Sequence, residues 1–244
     1  MAVLTAAAGG IGAATAAALA AAGFDLVLVD VDGDGVGRLA ERLSAAAGPA
    51  VLAAPADVSD EAAVAAVVSR ALDRFGRIDG LVNLVGAGRP GTVADLALAD
   101  WWWVLDRTLT SVFLMCRAVI PVMEAAGGGA VVNVASVAGT RGMHRSPAYC
   151  AAKGGVVGLT KALALDHGPA GVRVNCVAPG AVATPALRRG RTEADIAAIG
   201  RGSVVGRVAE PEEVAAAISW LLSPAASYVM GQTVEVDGGL PTPA

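Results

Sequence analysis

Charged side chains are scarce in this 244-residue chain: they make up 16% of it, against about 25% in an average soluble domain. Apolar residues make up 55% and the mean hydropathy is +0.60, which excludes a disordered or polyelectrolyte chain. A net charge of −4 and a pI near 5.2 offer no basic face for neutralising phosphates, so nucleic acid is not an expected partner. The deficit is greatest in residues 1–24, which carry no charged side chain and by length could span a membrane or act as a signal peptide. Composition argues against both. The large apolar residues there are only Met1, Val3, Leu4, Ile11, Leu19 and Phe24, the remainder is mostly Ala and Gly, and no Lys or Arg opens the segment. With 55 Ala in the chain, the apolarity fits a helix-rich soluble protein with closely packed elements, and no membrane partner is expected.

Cysteine is equally sparse. Cys116, Cys150 and Cys176 are odd in number and widely spaced, so they form neither a metal-ligand cluster nor a disulfide framework. They are expected to be small core hydrophobes in a reducing, cytoplasmic compartment. Also missing are a Pro/Ser-rich linker, a long charge run and an internal repeat, so residues 1–244 are expected to form one domain.

What the chain does contain is a regular alternation. Short β-branched runs at Val3–Thr5, Leu26–Val29, Val51–Ala54, Leu81–Leu84, Ala130–Val134, Val172–Val177 and Thr233–Val236 are separated by Ala-rich helical stretches. Most runs are uniformly apolar, as in strands covered on both faces. Helix starts are marked by Ser59 before Asp60 and Glu61, and by Pro211 before Glu212 and Glu213. The pattern predicts an α/β fold: a doubly wound, Rossmann-type parallel sheet of about seven strands with helices on both faces. Ligands of such sheets bind at the carboxyl ends of the strands.

The first run leads into Thr5-Ala6-Ala7-Ala8-Gly9-Gly10-Ile11-Gly12 and directly into a helix. Gly9, Gly10, Ile11 and Gly12 would let backbone approach a pyrophosphate held by the helix N–H groups and its positive end. The second run ends at Asp30, eighteen residues after Gly12, where a carboxylate can accept from adenosine ribose hydroxyls and repel a 2′-phosphate. No Arg lies beside it in Val31-Asp32-Gly33-Asp34, so NAD is favoured over NADP. Asp32 and Asp34 read as solvated turn residues. Asp57-Val58, after the third run, is placed either to meet the adenine or simply to help start the next helix.

Lysine is the rarest cation here. The chain holds two Tyr and only two Lys, so the spacing Tyr149-x-x-x-Lys153 would arise by chance in roughly one such chain in sixty. Four residues apart on a helix, the two side chains share one face. A phenol titrates near 10, too high for a base at neutrality, and a neighbouring ammonium lowers it by stabilising the phenolate. Thirteen residues before Tyr149, Ser136 closes the fifth run in Asn133-Val134-Ala135-Ser136, where its hydroxyl could share a substrate oxygen with the phenol.

At these residues the chain resembles the classical short-chain dehydrogenase/reductase (SDR) family. The resemblance runs through the Gly-rich opening, Asp30, Asp57-Val58, Asn83 to Gly86, Ser136, Tyr149 with Lys153, Pro179-Gly180 with Val182 and Thr184, and Gly231-Gln232 with Asp237-Gly238-Gly239. It implies NAD(P)-dependent oxidation of a secondary alcohol or reduction of a ketone by a homotetramer. Tyr149 would be the general acid/base, Lys153 would hold the nicotinamide ribose and depress the Tyr pKa, Ser136 would orient the carbonyl, and Thr184 would contact the carboxamide. Asn83 and Gly86, with Pro179, Gly180 and Val182, are expected on the cofactor side of the site.

Three positions depart from the family pattern. Ala6 replaces the first Gly of the glycine motif, adding a methyl near the adenosine. Leu84 replaces the second Asn of Asn-Asn-Ala-Gly, removing an amide that braces the sheet. Thr108 stands where the family has its catalytic-helix Asn, and the proton relay is expected to survive through a backbone carbonyl or a shifted water.

A covering loop is expected at about 185–203, carrying Arg188, Arg189, Arg191 and Arg201, with Arg141, His144 and Arg145 between Ser136 and Tyr149. Arginines suit carboxylates or phosphates, so an acidic substrate is one reading, and solvated lid charges the other. Trp101, Trp102 and Trp103 point around a helix in steps of about 100° and cannot all enter one core, so at least one is expected to meet a neighbouring subunit. The alternatives to an NAD-dependent alcohol dehydrogenase are an NADPH-dependent 3-oxoacyl thioester reductase and a non-catalytic dinucleotide sensor.

Overall fold

All seven apolar runs become strands of one sheet in the computed structural model, which describes residues 1–45 and 48–239; residues 46–47 and 240–244 of the expected domain lie outside the described residues. The strands are β1 (Ala2–Thr5), β2 (Leu26–Asp30), β3 (Val51–Pro55), β4 (Gly80–Asn83), β5 (Gly129–Val134), β6 (Val172–Pro179) and β7 (Thr233–Val236). Their order is β3-β2-β1-β4-β5-β6-β7, and every neighbouring pair is parallel. The chain winds outward from β1 to β3, then returns across β1 to lay down β4 on its other side. The reversal leaves a crevice at the carboxyl ends of β1 and β4, where a doubly wound sheet takes its ligand.

Ten helices flank this sheet among the described residues: α1 (Gly10–Ala21), α2 (Gly33–Ser44), α3 (Glu61–Phe75), α4 (Leu98–Leu105), α5 (Ser111–Ala125), α6 (Val137–Arg141), α7 (Pro147–His167), α8 (Pro185–Arg188), α9 (Glu193–Gly200) and α10 (Pro211–Leu222). Successive strand residues point to opposite faces, so one sheet feeds two cores. Val3, Val27, Leu81 and Val174 join Val64 of α3, Met115 and Ile120 of α5 and Val156 of α7. Leu4, Leu26, Val82 and Val132 join Leu19 of α1, Leu39 of α2 and Ile218 of α10. Burial on both faces is why these strands read as continuous apolar runs.

Two helix starts differ from the sequence reading. Asp60, not Ser59, caps α3, accepting from the Ala62 and Ala63 N–H groups at 2.8 and 3.2 Å; the Ser59 hydroxyl instead donates to Asp57 at 2.6 Å. Asp32 is no idle turn residue either, because its carboxylate accepts from the Gly35 N–H at 2.9 Å and caps α2. A carboxylate at a helix start satisfies orphan N–H groups and the helix dipole together. Pro211 opens α10 as expected.

Between α4 and α5 the helix does not stop but widens into a turn of π-helix at Asp106–Thr110. The whole run 98–125 is long and apolar enough to cross a membrane by composition, yet half of its most apolar window is buried within the protein, chiefly through Val112, Met115, Cys116, Val119, Ile120 and Met123. Cys116 and Cys176 are core residues; Cys150 is only half-buried and accepts from the Met143 N–H at 3.1 Å.

The turn after β1 holds a residue under strain. Ala6 has φ +51°, in the left-handed region that costs a residue with a Cβ about 1–2 kcal/mol. Its methyl is therefore a conformational liability as well as added bulk. Ala6→Gly is expected to stabilise the fold by about 0.5–1 kcal/mol after the entropy of the unfolded glycine is offset, raising the unfolding midpoint by roughly 1–4 °C. A calorimetric midpoint that falls instead would show that the turn stores no strain.

Candidate active site

A cleft of about 890 Å³ opens at the carboxyl ends of the central strands. One wall is the turn from β1 into α1, with Ala6, Gly9, Gly10, Ile11 and Gly12. The packing there accounts for the glycines: a Cβ on Gly12 would sit 2.1 Å from the Ala6 carbonyl oxygen, and one on Gly10 would sit 2.9 Å from the Thr184 side chain. Backbone is thereby exposed where side chains cannot fit. The helix entrance has no side-chain cap and no acidic residue in its first turn, so its N–H groups present an uncompensated positive end to the cleft. Pro179, Gly180, Val182 and Thr184 line the same wall from the end of β6. These residues fit an extended, phosphate-bearing dinucleotide.

The opposite wall is set by α6 and α7. Ser136 ends the β5 segment and caps α6; its oxygen accepts from the Ala138 N–H at 3.1 Å, which leaves its own proton free to donate to the Tyr149 hydroxyl. Burial pushes the Tyr149 phenol up from its ordinary value, and the Ser136 hydrogen bond pulls part of that back. Lys153, one helical turn on, is 2% exposed. Its ammonium donates to the Val134 carbonyl at 2.6 Å and the Val85 carbonyl at 3.2 Å, and burial brings it down to about 8. The expected coupling, in which Lys153 depresses the phenol, is not the leading effect. The ammonium lies 6.0 Å from the Tyr149 ring centroid, turned to the two carbonyls, so desolvation dominates the phenol.

A further glycine makes room on this wall. A Cβ on Gly86 would meet the Lys153 ammonium at 2.9 Å, whereas one on Gly88 would sit in ordinary contact with the Tyr149 ring at 3.7 Å. The segment after β4 is held down by Thr108, which is fully buried. Its hydroxyl accepts from the Ala87 N–H at 3.1 Å and donates to the Ala87 carbonyl at 3.2 Å. One hydroxyl thus satisfies both backbone groups of a residue two positions from Val85, a partner of Lys153.

Several expected residues do not line the cleft. Asn83 is 1% exposed; its amide donates to Asn133 at 2.9 Å, and Asn133 donates to Thr160 at 3.0 Å. This buried chain of side chains ties β4, β5 and α7 together, and it corrects the placement of the Asn83 side chain on the cofactor side. Val58 is a core residue at 4% exposure, so only its backbone could meet a ligand. Asp57 accepts from the Ser59 hydroxyl at 2.6 Å and the Ser59 N–H at 3.0 Å and pairs with Arg107 at 3.1 Å; the hydroxyl first, then the other contacts, hold its carboxyl below the usual range against the opposing effect of burial. Asp30 stands at the end of β2, outside the cleft lining, and braces the glycine turn by accepting from the Ala8 N–H at 3.1 Å. Its other oxygen takes the Asp32 N–H at 3.0 Å.

Of the seven basic residues expected near the substrate, only Arg191 lines the cleft. Residues that the sequence reading missed include Arg89 and Met143, whereas Leu187 and Ile199 belong to the expected covering segment 185–203. Arg89 had a legible signal, since it lies three residues beyond Gly86 in the loop leaving the carboxyl end of β4. Its guanidinium rests 4.1 Å from the Trp103 ring centroid, with Arg107 at 5.2 Å from the same ring. Trp103 is thus occupied by two cations, whereas Trp102 is 54% exposed. Among the described residues, no group of three His, Cys, Asp or Glu is placed to hold a metal ion.

Comparison with known proteins agrees with this geometry. Residues 6–241 match the family model described as enoyl-(acyl carrier protein) reductase. The chain is 43% identical to cis-4-hydroxycyclohexanecarboxylate dehydrogenase of Sinomonas cyclohexanicum, covering 98% of this chain and 95% of that one. It is 41% identical to D-threitol dehydrogenase of Mycolicibacterium smegmatis, covering 98% and 92%. A solved structure of 7α-hydroxysteroid dehydrogenase, complexed with NADH and 7-oxo glycochenodeoxycholic acid, superposes with a TM-score of 0.94 at 30% identity, covering 99% and 94%.

Proposed function

The chain belongs to the short-chain dehydrogenase/reductase family and is an oxidoreductase that uses NAD(P), and on that premise we propose an NAD-dependent dehydrogenase of secondary alcohols with Tyr149 as its general acid/base. The observation that carries the reading is the joint placement of Ser136, Tyr149 and Lys153 on one wall of a cleft whose other wall is a glycine turn at a helix N-terminus. When bound, the nicotinamide gives or takes the hydride, and the protein supplies position and electrostatics. The Tyr149 hydroxyl delivers a proton to the carbonyl oxygen in reduction and removes it in oxidation. Ser136 shares that oxygen and fixes its direction. Lys153 keeps a compact positive charge beside the ribose position, anchored by Val85 and Val134. Thr108 acts through Ala87, holding the loop that supplies one of those anchors. The N–H groups of α1 would hold the pyrophosphate, and Thr184 the carboxamide.

The preference for NAD rests on Asp30. Each of its oxygens already accepts one backbone N–H, and each retains a lone pair for a ribose hydroxyl, while its charge would repel a 2′-phosphate. Gly9 adds no cation to offset it. Substrate size and charge are read from the apolar cleft wall and from the relatives, one named for a hydroxycyclohexanecarboxylate and one complexed with an oxo bile acid. They support a hydrocarbon body that carries an acid group. For the assembly we read a homotetramer, supported by the exposed Trp102 and Phe113 of the 98–125 run and by Trp220 and Tyr228 elsewhere on the surface, which suit two distinct subunit contacts; a cytoplasmic location is supported by the three free thiols of Cys116, Cys150 and Cys176.

The test is to titrate NADH and NADPH by fluorescence and then assay cyclohexanone and 4-oxocyclohexanecarboxylate. Binding of NADH about tenfold or more tighter than NADPH is expected from one repelled phosphate. Tighter NADPH would overturn the cofactor assignment in favour of the thioester-reductase alternative, and reduction of neither ketone would overturn the substrate class.

A further inference from the structure

Of the three arginines that line the cleft among the described residues, two lie against carboxylates and Arg191 has no ion pair within 4 Å. Arg188 pairs with Glu193 at 2.6 Å, Arg145 with Asp95 at 3.5 Å, and Arg141 with Glu235 and with Asp237, the latter at 2.9 Å. Arg207 lines the cleft but is held by both oxygens of Glu213, at 2.7 and 2.9 Å. Arg89 also lines it, yet its guanidinium is stacked on Trp103 and lies 3.5 Å from Asp100. Arg191 differs from all of these. It lines the cleft from the link between α8 and α9, and its guanidinium is tethered through one nitrogen to the Leu187 carbonyl at 2.7 Å. The nearby Asp195 feels its charge but forms no ion pair with it within 4 Å; its Oδ2 accepts from the Thr192 N–H and hydroxyl at 2.8 and 2.7 Å in the capping box of α9. The same cleft is lined by the apolar Leu187, Ile199 and Met143.

We propose that Arg191 is the specificity-determining anion anchor of the substrate cleft, engaging a carboxylate on the far side of the substrate from the oxygen that meets Ser136 and Tyr149. The tether to Leu187 fixes the direction of the guanidinium and leaves its remaining N–H donors to form a fork, the geometry that binds a carboxylate through two parallel bonds. The apolar residues of the cleft would accept the hydrocarbon body between the two polar ends. This assignment rests on the proposed dehydrogenase activity and adds to it the chemical class of substrate: a secondary alcohol or ketone whose apolar frame ends in an acid.

The test compares a cyclic keto acid with its methyl ester in wild type, Arg191→Gln and Arg191→Lys. In wild type the acid should be the better substrate by kcat/KM. Losing a charge-assisted fork should cut the acid-to-ester ratio by about 10- to 100-fold in Arg191→Gln, through KM for the acid, with partial recovery in Arg191→Lys. The dissociation constant for NADH, measured on the same variants, should stay within about twofold, since Arg191 is assigned to substrate and not to pyrophosphate. An equal loss for acid and ester, or a weakening of NADH binding that accounts for the change, would overturn the assignment. Wild type that reduces the ester but shows no preference for the acid refutes the anchor alone, whereas wild type that reduces neither refutes the anchor together with the proposed substrate class on which it rests.

Discussion

Replacing Tyr149 by Phe is expected to lower kcat/KM for ketone reduction by about a thousandfold, within the 10²- to 10⁴-fold range of general acid catalysis, while NADH affinity changes little. The phenol is the group on the Ser136 wall that can pass a proton to a substrate oxygen, and its removal leaves the ring packed against Gly88 undisturbed. Undiminished turnover of Tyr149→Phe would sink the mechanism outright. Wild type carries a further signature. Burial pushes the phenol up and the Ser136 hydrogen bond only partly opposes it, so the protonated form persists through neutrality. Reduction needs that protonated form, and its rate should stay level through neutral pH and fall on the alkaline side. Oxidation needs the phenolate, and its rate should climb as pH rises. Lys153, brought down to about 8, loses its charge over the same alkaline range and should flatten that climb. Initial rates in both directions, from about pH 6 to pH 10, would contradict this assignment if oxidation were fastest on the acid side.

The second large effect is expected at Gly139, a residue with no chemistry of its own. A Cβ there would lie 2.5 Å from the Lys153 carbonyl carbon and 2.7 Å from the Gly154 nitrogen. These are backbone atoms of α7 and cannot rotate aside, so Gly139→Ala must push α6 away from α7. Ser136 caps α6, whereas Tyr149 and Lys153 ride on α7, and the wedge falls between them. A displacement of about 1 Å in a catalytic constellation costs on the order of a hundredfold in rate, and overpacking of this kind costs roughly 1–3 kcal/mol of stability. The variant should therefore stay folded, with a lowered unfolding midpoint, a kcat reduced about a hundredfold and a much smaller change in NADH affinity. A variant with native kcat would show that α6 and α7 tolerate separation and that Ser136 need not be held against Tyr149.

Much of the fold was readable along the chain because its signals are local. Uniformly apolar runs mark strands covered on both faces, and all seven appear in the sheet within a residue or two of their expected ends. The spacing of Tyr149 and Lys153 was equally informative, since four residues on a helix is a geometric statement in itself. Pro211 opened its helix as read. Asp60 displaced Ser59 as a cap because either side chain can accept from helix N–H groups, and the choice depended on the Ser59 hydroxyl finding Asp57. The same competition made Asp32 a cap.

Other features could not be read at the sequence level because they depend on what lies across space. Asn83 belongs to a motif associated with the cofactor, yet its amide is committed to Asn133 on the neighbouring strand. The methyl of Ala6 looked like a matter of bulk until the backbone proved to have a positive φ.

The sequence by itself determined the doubly wound sheet, the glycine turn into the first helix and the Ser136, Tyr149 and Lys153 set, because hydrophobic period, helical spacing and glycine placement act over a few residues. The want of charge in residues 1–24 is in keeping with a buried first strand and a helix packed on the sheet through Thr15, Ala16 and Leu19. Only the tertiary structure decided which cations are available to a substrate. Seven basic residues were equivalent on paper, and salt-bridge partners up to 96 positions away in sequence, such as Asp237 for Arg141, neutralised some of them and left Arg191 facing the cleft. Pairing is a property of distance in space, and no local pattern encodes it.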